Sequence, residues 1–230
     1  MKLSSRLQLI ADVIKEYKQG SKLADIGTDH AYLPCYLVQN NIITHAYACD
    51  VAKGPFTSSQ ETIASYELEE QVTALLGDGL EPVLNKKVDM ISIAGMGAYL
   101  VTEILEKHRV YLQNIKVMFL QVNANTDHLR KYLFSNDWKI IDEKMVKDAG
   151  HIYEVLVVTK QHNKDIMYSK NDIEFGPVLT TTRPMLFKEK WEKQSKVYHN
   201  IMDSLPENHP RYIELHDKVQ RIEGLLHESK

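Results

Sequence analysis

The chain has 230 residues and a formal net charge of −3; 43% of its residues are hydrophobic, 8% aromatic and 26% charged. These values match ordinary globular proteins and exclude a disordered or fibrous chain, and the length suits one main domain with an appendage. No run approaches the roughly 18–20 apolar residues that a membrane span needs, and charged residues interrupt the amino-terminal stretch where a signal peptide would be apolar. We therefore expect a cytoplasmic protein without a membrane partner.

The charge and the cysteines narrow the possible chemistry. A net charge of −3 gives no global sign of nucleic-acid binding, so a polyanion would have to contact local patches such as the basic amino-terminal helix. The two cysteines, Cys35 and Cys49, are too few for a disulfide framework and lack CxxC spacing, so we expect both to be small buried hydrophobes. The histidines are scattered, and we expect no metal site.

Apolar spacing predicts an alternation of helices and strands. Leu3, Leu7, Ile10, Ile14 and Tyr17 lie on one stripe of an amino-terminal helix. Short bounded apolar runs then predict five buried strands, at residues 23–26, 46–49, 72–76, 88–93 and 117–122. Helix-length stretches lie between them, at residues 32–40, 53–67, 98–108 and 126–136. This alternation predicts right-handed crossovers and a parallel sheet covered on both faces.

The pattern changes after the fifth strand. Residues 138–147 and 151–160 read as two strands joined by a turn at 148–150, and strands linked so closely must be antiparallel. The predicted fold is therefore α/β, with a Rossmann-like seven-stranded core similar in plan to the class I S-adenosylmethionine-dependent methyltransferases.

The carboxyl-terminal part has a different periodicity. Residues 161–168 are polar and predict a linker. Two heptad-like seams follow on either side of the breaker LPENHP, formed by Phe187, Trp191, Gln194, Tyr198, Ile201 and Leu205 and by Tyr212, Leu215, Val219, Ile222 and Leu226. We expect a core domain at 1–160, and a linker with an antiparallel, coiled-coil-like helical hairpin at 161–230. Bracing, dimerisation and contact with a large substrate are all open roles for the hairpin.

The loop after the first strand, ADIGTDHAYLP, carries the first sign of ligand chemistry. Ligands of doubly wound sheets lie at the carboxyl ends of the strands, where the strand order reverses. Gly27 permits a tight turn, but Asp29 and Ala31 stand where a methyltransferase DxGxGxG loop has further glycines, and GxGxxG is absent. A carboxylate there repels a pyrophosphate and attracts a sulfonium or an ammonium, and S-adenosylmethionine has both.

The ends of the next strands add polar groups. Asp50 ends the second strand, where an acidic residue suits the ribose hydroxyls of a nucleoside; the alternative is a cap of the following helix. Asp78 is placed to accept from an adenine amine or to form a Gly-Asp-Gly turn. Residues 94–98 are small, which admits a flat ring or allows tight packing.

These residues together resemble one family, the bacterial tRNA (adenine-22-N1)-methyltransferases. The shared motifs are LSSRL from Leu3, ADIGTDHAYLP from Ala24, GDGLEP from Gly77, AGMGA from Ala94, LQVN from Leu120, GHIYEVLVV from Gly150 and FGP from Phe175. Val122 replaces a usual Pro and Ala98 a usual Gly, changes that affect loop geometry more than reaction class.

The resemblance implies transfer of a methyl group from S-adenosylmethionine to N1 of adenine 22 in tRNA. The catalytic candidates are Asp29, to stabilise the cationic product, His30, to orient Asp29 or contact the acceptor, and Asn123, to read the adenine edge. A buried structural histidine and a loop-stabilising asparagine are the alternatives for the last two. The predicted cofactor residues are Asp25, Gly27, Thr28, Asp29, Asp50, Val51, Gly77, Asp78, Gly79, Ala94, Gly95 and Met96.

Adenine N1 lies on the Watson–Crick edge, so the target base must be unpaired or rotated out of its stack. We predict shape and backbone recognition of the tRNA by basic side chains of the first helix and the hairpin: Lys2, Arg6, Lys188, Lys190, Lys193, Lys196 and Arg211. A solvated charged surface is the alternative, because Glu189 and Glu192 are interspersed.

Other readings of the pocket remain at this stage. A methyltransferase of small molecules would share the cofactor site. A nicotinamide-dependent oxidoreductase is disfavoured by Asp29 and the missing glycines. A non-catalytic interaction protein would use the coiled-coil hairpin and keep a relict nucleotide-binding pocket. We expect a monomer, with a dimer left open.

Overall fold

The computed structural model describes residues 1–161 and 167–227. One sheet contains seven strands: β1 Lys22–Ile26, β2 His45–Asp50, β3 Val72–Leu76, β4 Met90–Met96, β5 Val117–Val122, β6 Trp138–Asp148 and β7 His151–Lys160. Their order is β3-β2-β1-β4-β5-β7-β6, and β7 runs antiparallel to both of its neighbours. The predicted five parallel strands and closing antiparallel hairpin are confirmed, and the strand order reverses between β1 and β4.

Helices cover both faces of the sheet. The helices are α1 Ser5–Tyr17, α2 Tyr32–Gln39, α3 Lys53–Ser65, α4 Ala98–Lys107, α5 Thr126–Ser135, α6 Lys170–Phe175, α7 Leu179–Thr182, α8 Met185–Met202 and α9 Pro210–His227. Alternate residues of β1 belong to opposite cores: Leu23 packs with α1, α2 and α3, and Ala24 packs with α4 and α5. This two-sided burial is the reason the strands read as continuous apolar runs.

Two local features differ from the sequence-based expectation. β4 continues to Met96 instead of ending at residue 93, and its pairing with β5 is irregular at Gly95, which has φ of +80°. Gly95 is thus the extra residue of a β-bulge, a position where glycine adopts a conformation that other residues avoid. The short helices α6 and α7 were not predicted. Of the predicted linker at 161–168, residues 162–166 lie outside the described residues.

The helical hairpin is antiparallel, as predicted. The beginning of α8 packs against the end of α9, through Phe187, Trp191 and Ile222, and Met202 at the end of α8 packs against Leu215. Ile201, predicted to lie in the seam, is exposed and Met202 is buried in its place. The 3.6-residue period of the helix carries the buried stripe from Tyr198 to a residue four positions on, rather than three.

A buried group of four charges connects the hairpin to the core. The guanidinium of Arg130 on α5 donates to Glu143 on β6 at 2.8 Å and to Glu154 on β7 at 2.7 Å. Lys190 on α8 donates to the second oxygen of Glu154 at 2.6 Å, and the amide of Val178 donates to Glu143 at 2.9 Å. Both carboxylates and Arg130 are at most 2% exposed. The ion pair with Lys190 therefore links the sheet to α8, and the hydrogen bond from Val178 links it to the start of α7.

The two cysteines are buried, as expected. Burial raises the pKa of the Cys35 thiol and of the Cys49 thiol to about 12. In residues 1–161 and 167–227, no helix is long and apolar enough to cross a membrane, and no group of three or more His, Cys, Asp or Glu side chains is arranged to hold a metal ion.

Candidate active site

A cavity of about 230 Å³ opens where the strand order reverses, at the carboxyl ends of β1 and β4. This is where doubly wound sheets bind their ligands. The cavity is lined by Arg6, Leu7, Asp25, Gly27, Thr28, Asp29, His30, Tyr32, Leu33 and Ala94. The structure thus brings together Asp25, Gly27, Thr28, Asp29 and Ala94 of the predicted cofactor residues, with His30 beside them.

Asp25 supplies a buried carboxylate to the cavity. Asp25 is the penultimate residue of β1, and the hydroxyl of Ser92 on β4 donates to its Oδ1 at 2.6 Å. Burial raises the pKa of Asp25 to about 6, although hydrogen bonds from Ser92 and Thr28 offset part of the effect. At neutral pH Asp25 is therefore ionised and poorly solvated, a state that a cationic ligand group stabilises.

The loop after β1 is tied to β2 and turns at Gly27. The amides of Gly27 and Thr28 both donate to the carbonyl of Cys49, at 2.8 and 3.1 Å, which ties the loop to β2. Gly27 has φ of +75°, and a Cβ there would overlap the methyl group of Met96. Ala31, where a DxGxGxG loop has its third glycine, also has a positive φ of 53°. At the positions of the second and third glycines, Ala31 thus has a backbone conformation that favours glycine, whereas Asp29 does not have a positive φ.

Asp29 and His30 form the rim of the cavity. The Nε2 atom of His30 lies 3.6 Å from Oδ2 of Asp29, and the imidazole stacks on the ring of Tyr32 at a centroid distance of 5.1 Å. Both side chains are substantially exposed, at 41% for His30 and 77% for Asp29. His30 is therefore not the buried structural histidine that the sequence left open, and Asp29 is accessible to an acceptor.

Arg6 occupies the cavity instead of the outer surface of α1. Its Nη1 donates to Oε1 of Gln121 at 2.8 Å, and its guanidinium carbon lies 5.4 Å from the ring centroid of Tyr153. Arg6 precedes Ile10 by four positions and so lies on the side of α1 that faces the sheet, where its guanidinium has Gln121 as a partner; the predicted tRNA contact of Arg6 stays a prediction. The spacing to Ile10 was the available signal for this position.

Gln121 organises the ends of β4 and β5 and was not predicted as a site residue. Its buried amide oxygen also accepts from the backbone N–H of Gly95 at 3.0 Å, and its Nε2 donates to Asn123 Oδ1 at 3.3 Å. Asn123 Nδ2 in turn donates to the carbonyl of Gly95 at 2.7 Å. Asn123 therefore stabilises this loop, which was the alternative to adenine recognition. The signal for Gln121 is a polar residue within the apolar run of β5.

The acidic residues after β2 and β3 are engaged locally. Oδ1 of Asp50 accepts from the amide of Ala52 at 2.8 Å and so stabilises the entry to α3, which was the alternative considered for it. Oδ2 of Asp78 pairs with Lys107 at 2.7 Å. These two residues, like Val51, Gly77, Gly79, Gly95 and Met96, do not line the cavity of about 230 Å³; they lie at the neighbouring strand ends.

The predicted RNA-contacting side chains fall into distinct environments. Lys190 is paired with the buried Glu154, so its charge is already compensated and an RNA contact there is not supported. Lys188 lies 3.6 Å from Glu192, and Arg211 pairs with Glu214 at 2.8 Å, both on the surface. The remaining three, Lys2, Lys193 and Lys196, are exposed.

This sheet order, with one antiparallel strand and a cation-attracting pocket at the reversal of strand order, defines a Rossmann-like methyltransferase fold. The family model described as tRNA (adenine(22)-N(1))-methyltransferase matches residues 23–224. The chain is 32% identical to the tRNA (adenine(22)-N(1))-methyltransferase of Bacillus subtilis, with 98% of each chain covered. The chain belongs to the tRNA (adenine(22)-N(1))-methyltransferase family.

Solved structures of relatives have the same fold. A Streptococcus pneumoniae protein in complex with S-adenosyl-L-methionine is 33% identical, with a TM-score of 0.89 over 98% of this chain and 100% of that one. A Mycoplasma capricolum relative in complex with S-adenosyl-homocysteine is 28% identical, with a TM-score of 0.86 over 98% of each chain.

Proposed function

We propose that this protein transfers the methyl group of S-adenosylmethionine to N1 of adenine 22 in tRNA. The observation that carries the proposal is the cavity at the reversal of strand order, where the Arg6 guanidinium faces a pocket that also contains Asp25 and Asp29. The full-length similarity to a tRNA (adenine(22)-N(1))-methyltransferase supports the choice of acceptor.

The residues present fit S-adenosylmethionine. The methionine end of this molecule carries a carboxylate and an ammonium, which match the guanidinium of Arg6 and the carboxylate of Asp25. Asp50 and Asp78, on the adjoining strand ends, are suited to the ribose hydroxyls and the adenine amine. When bound, the cofactor would supply the electrophilic methyl group on its sulfonium sulfur, and transfer to N1 would break that S–C bond and leave S-adenosylhomocysteine.

The chain has to do little acid–base chemistry on the acceptor. Adenine N1 has an in-plane lone pair, so no deprotonation precedes attack, and positioning and exclusion of water supply much of the barrier reduction. Methylation at N1 leaves a cationic base. Asp29, exposed at the rim, accepts a hydrogen bond from the N6 amine and stabilises this charge, and His30 at 3.6 Å orients the carboxylate.

The same proposal assigns the tRNA surface. Lys2 on the amino-terminal segment and Lys188, Lys193, Lys196 and Arg211 on the hairpin are exposed cations that suit backbone phosphates. Lys190 is left out because of its buried partner. In this proposal, residues 1–160 form the catalytic domain and 161–230 the linker and tRNA-contacting domain of a cytoplasmic monomer.

Transfer of a labelled methyl group from S-adenosylmethionine to unmodified tRNA tests the function, with the modified base identified by mass spectrometry. We expect Asp29→Ala to lower kcat by about 10²-fold or more, with cofactor affinity retained. Asp203→Ala, an exposed aspartate on the hairpin, is the matched control and should behave as wild type. Tight cofactor binding without transfer to any tRNA would redirect the assignment to a small-molecule acceptor or a binding role.

A further inference from the structure

The guanidinium of Arg6 is held on three sides at the edge of the candidate active site. Its Nη1 donates to Oε1 of Gln121 at 2.8 Å, and its carbon lies 5.4 Å from the ring centroid of Tyr153. It also packs against the backbone of Gly95, so closely that a Cβ at that residue would lie 2.9 Å from Nη1. Since Arg6 lines the cavity as well, a ligand there meets a cation whose position the protein has already fixed.

The main chain of Arg6 is fixed too. Its amide lies in the first turn of α1 and donates to Oδ2 of Asp148, the last residue of β6, at 3.1 Å. The side-chain partner, Gln121, lies on β5. Arg6 therefore joins the start of α1 to two strands of the sheet, and the guanidinium cannot swing away from the cavity without losing its bond to Gln121.

Gln121 is a fully buried amide in a strand whose other residues are apolar. Its Oε1 accepts from Arg6 and also from the N–H of Gly95 at 3.0 Å, and its Nε2 donates to Oδ1 of Asn123 at 3.3 Å. Because an amide NH₂ group cannot accept, the two donors fix which end of the amide faces Arg6. A buried amide is costly unless it is hydrogen-bonded, and the bonds of Gln121 go to groups at the edge of the cavity.

A neutral acceptor leaves the charge of Arg6 unpaired. Among the described residues, no carboxylate forms an ion pair with Arg6, whereas the buried Arg130 pairs with Glu143 and Glu154. A glutamate at position 121 would accept the same hydrogen bonds and neutralise the guanidinium before any ligand arrived. The amide of Gln121 orients the cation and keeps its charge for an anionic ligand group.

The methionine end of S-adenosylmethionine supplies such a group. Asp25, an ionised carboxylate in the same cavity of about 230 Å³, suits the ammonium of the cofactor, and Arg6 suits its carboxylate. A phosphate fits less well, because Asp25 and the nearby Asp29 would repel it. The charges of the cavity therefore favour a zwitterion, with its carboxylate at the Arg6 guanidinium.

We propose that Gln121 is a positioning residue of the cofactor site, which holds the Arg6 guanidinium in place, without neutralising it, for the carboxylate of S-adenosylmethionine. The inference rests on the cofactor assignment of the proposed function. Gln121 does not line the cavity, so it acts through Arg6. Selection of a ligand that carries a carboxylate thus depends on a residue that the ligand does not contact.

Calorimetric binding of two ligands tests this role: S-adenosylhomocysteine and its decarboxylated form, which keeps the ammonium and the adenosine. The ratio of the two affinities measures the contribution of the carboxylate. Gln121→Met keeps the approximate volume and removes the acceptor, whereas Gln121→Glu keeps an accepting oxygen and adds a negative charge. Asn123→Ala is the matched control, because it loses the bonds to Gln121 and to the carbonyl of Gly95 and leaves the Arg6 contact in place.

We expect wild type to bind S-adenosylhomocysteine about ten- to a hundredfold more tightly than the decarboxylated form, the contribution typical of hydrogen bonds to charged groups. Gln121→Met and Gln121→Glu should each lower this ratio about tenfold, through weaker binding of S-adenosylhomocysteine alone. Asn123→Ala should leave the ratio unchanged. In an Arg6→Met background, which lacks the cation, Gln121→Met should change the ratio no further.

Two results overturn the inference. If wild type binds both ligands equally well, no carboxylate meets Arg6. If the Gln121 variants keep the wild-type ratio, whether or not both affinities fall, Gln121 only supports the fold of the site. Should Gln121→Met fail to fold, Gln121→Glu decides alone, because it keeps the size of the side chain and its accepting oxygen.

Failure of the proposed function has a different signature, since these measurements need no tRNA. A wild type that shows the expected ratio and methylates no tRNA loses the tRNA assignment and keeps this role of Gln121. A wild type that binds neither ligand loses both.

Discussion

Arg130 is the residue whose replacement should most clearly reveal how the helical hairpin depends on the core. Its guanidinium contacts Glu143 and Glu154 at 2.7 Å and the carbonyl of Glu174 at 3.2 Å, and the residue is fully buried. Although burial alone would raise it, Arg130 and Lys190 together hold the pKa of Glu154 below its usual range. Arg130→Met keeps most of the side-chain volume and removes the charge and all of these hydrogen bonds.

The expected cost is large because two carboxylates depend on one guanidinium. Removing one member of a buried ion pair typically costs about 3–5 kcal/mol, since an uncompensated charge is left out of water. In Arg130→Met, the partners left among the described residues are backbone donors such as Val178 for Glu143 and Lys190 for Glu154. We therefore expect a loss of unfolding free energy near the upper end of that range.

Urea denaturation measures this loss of unfolding free energy. The sequence has two tryptophans, and their fluorescence reports on both parts of the molecule, because Trp138 lies in the core and Trp191 in the hairpin. Arg211→Met is the matched control: its pair with Glu214 is on the surface, so the change should cost less than about 1 kcal/mol.

Acidification gives a second signature of the same defect. Burial raises the pKa of Glu143 even in the wild type, whereas that of Glu154 is held below its usual range. Without Arg130, desolvation raises the pKa of Glu154 as well, and that of Glu143 further. Both carboxyls then take up protons in the folded state, so the deficit of the variant shrinks as the pH falls through these raised pKa values. If Arg130→Met loses no more unfolding free energy than Arg211→Met, or if its loss does not depend on pH, the buried ion pairs of Arg130 do not hold the hairpin to the core.

Three further outcomes follow from the site. The pKa of Asp25 is about 6 in the folded protein, against an ordinary value of 3.8, so ionisation of Asp25 opposes folding by about 3 kcal/mol above about pH 6 and not below about pH 4. The stability of Asp25→Asn relative to wild type should therefore rise as the pH increases from about 4 to about 6. A stability difference in urea denaturation that does not change with pH contradicts this. Replacing Lys193 and Lys196 with alanine should reduce the slope of log affinity for tRNA against log salt by about 1.5, and an unchanged slope excludes phosphate contacts there. Gly95 has φ of +80°, and a Cβ there would lie 2.9 Å from Nη1 of Arg6, so Gly95→Ala should weaken cofactor binding measured by calorimetry. A Cβ at Gly97 would have nothing within 4 Å, so Gly97→Ala should leave cofactor binding unchanged.

The order of strands and helices was predictable because the period of buried residues is local to each element. The runs at β3 and β5 matched their predicted bounds, and the turn between β6 and β7 was correctly placed at Ala149 and Gly150, which both have positive φ. The strand β4 was predicted to end at residue 93, but Gly95 is a bulge within the ladder and the strand continues to Met96. Here pairing with β5 overrode the local signal.

Sequence by itself determined the α/β core, the antiparallel helical hairpin and the loop that carries Asp25 and Asp29, because each depends on residues close together in the chain. Tertiary structure alone decided the environment of the charges. The partner of Arg6, Gln121, lies 115 positions away, and the buried Arg130 contacts a carbonyl 44 positions away. The energy of a charge depends on burial and on partners brought together only by folding, so its role cannot be assigned from the neighbouring sequence.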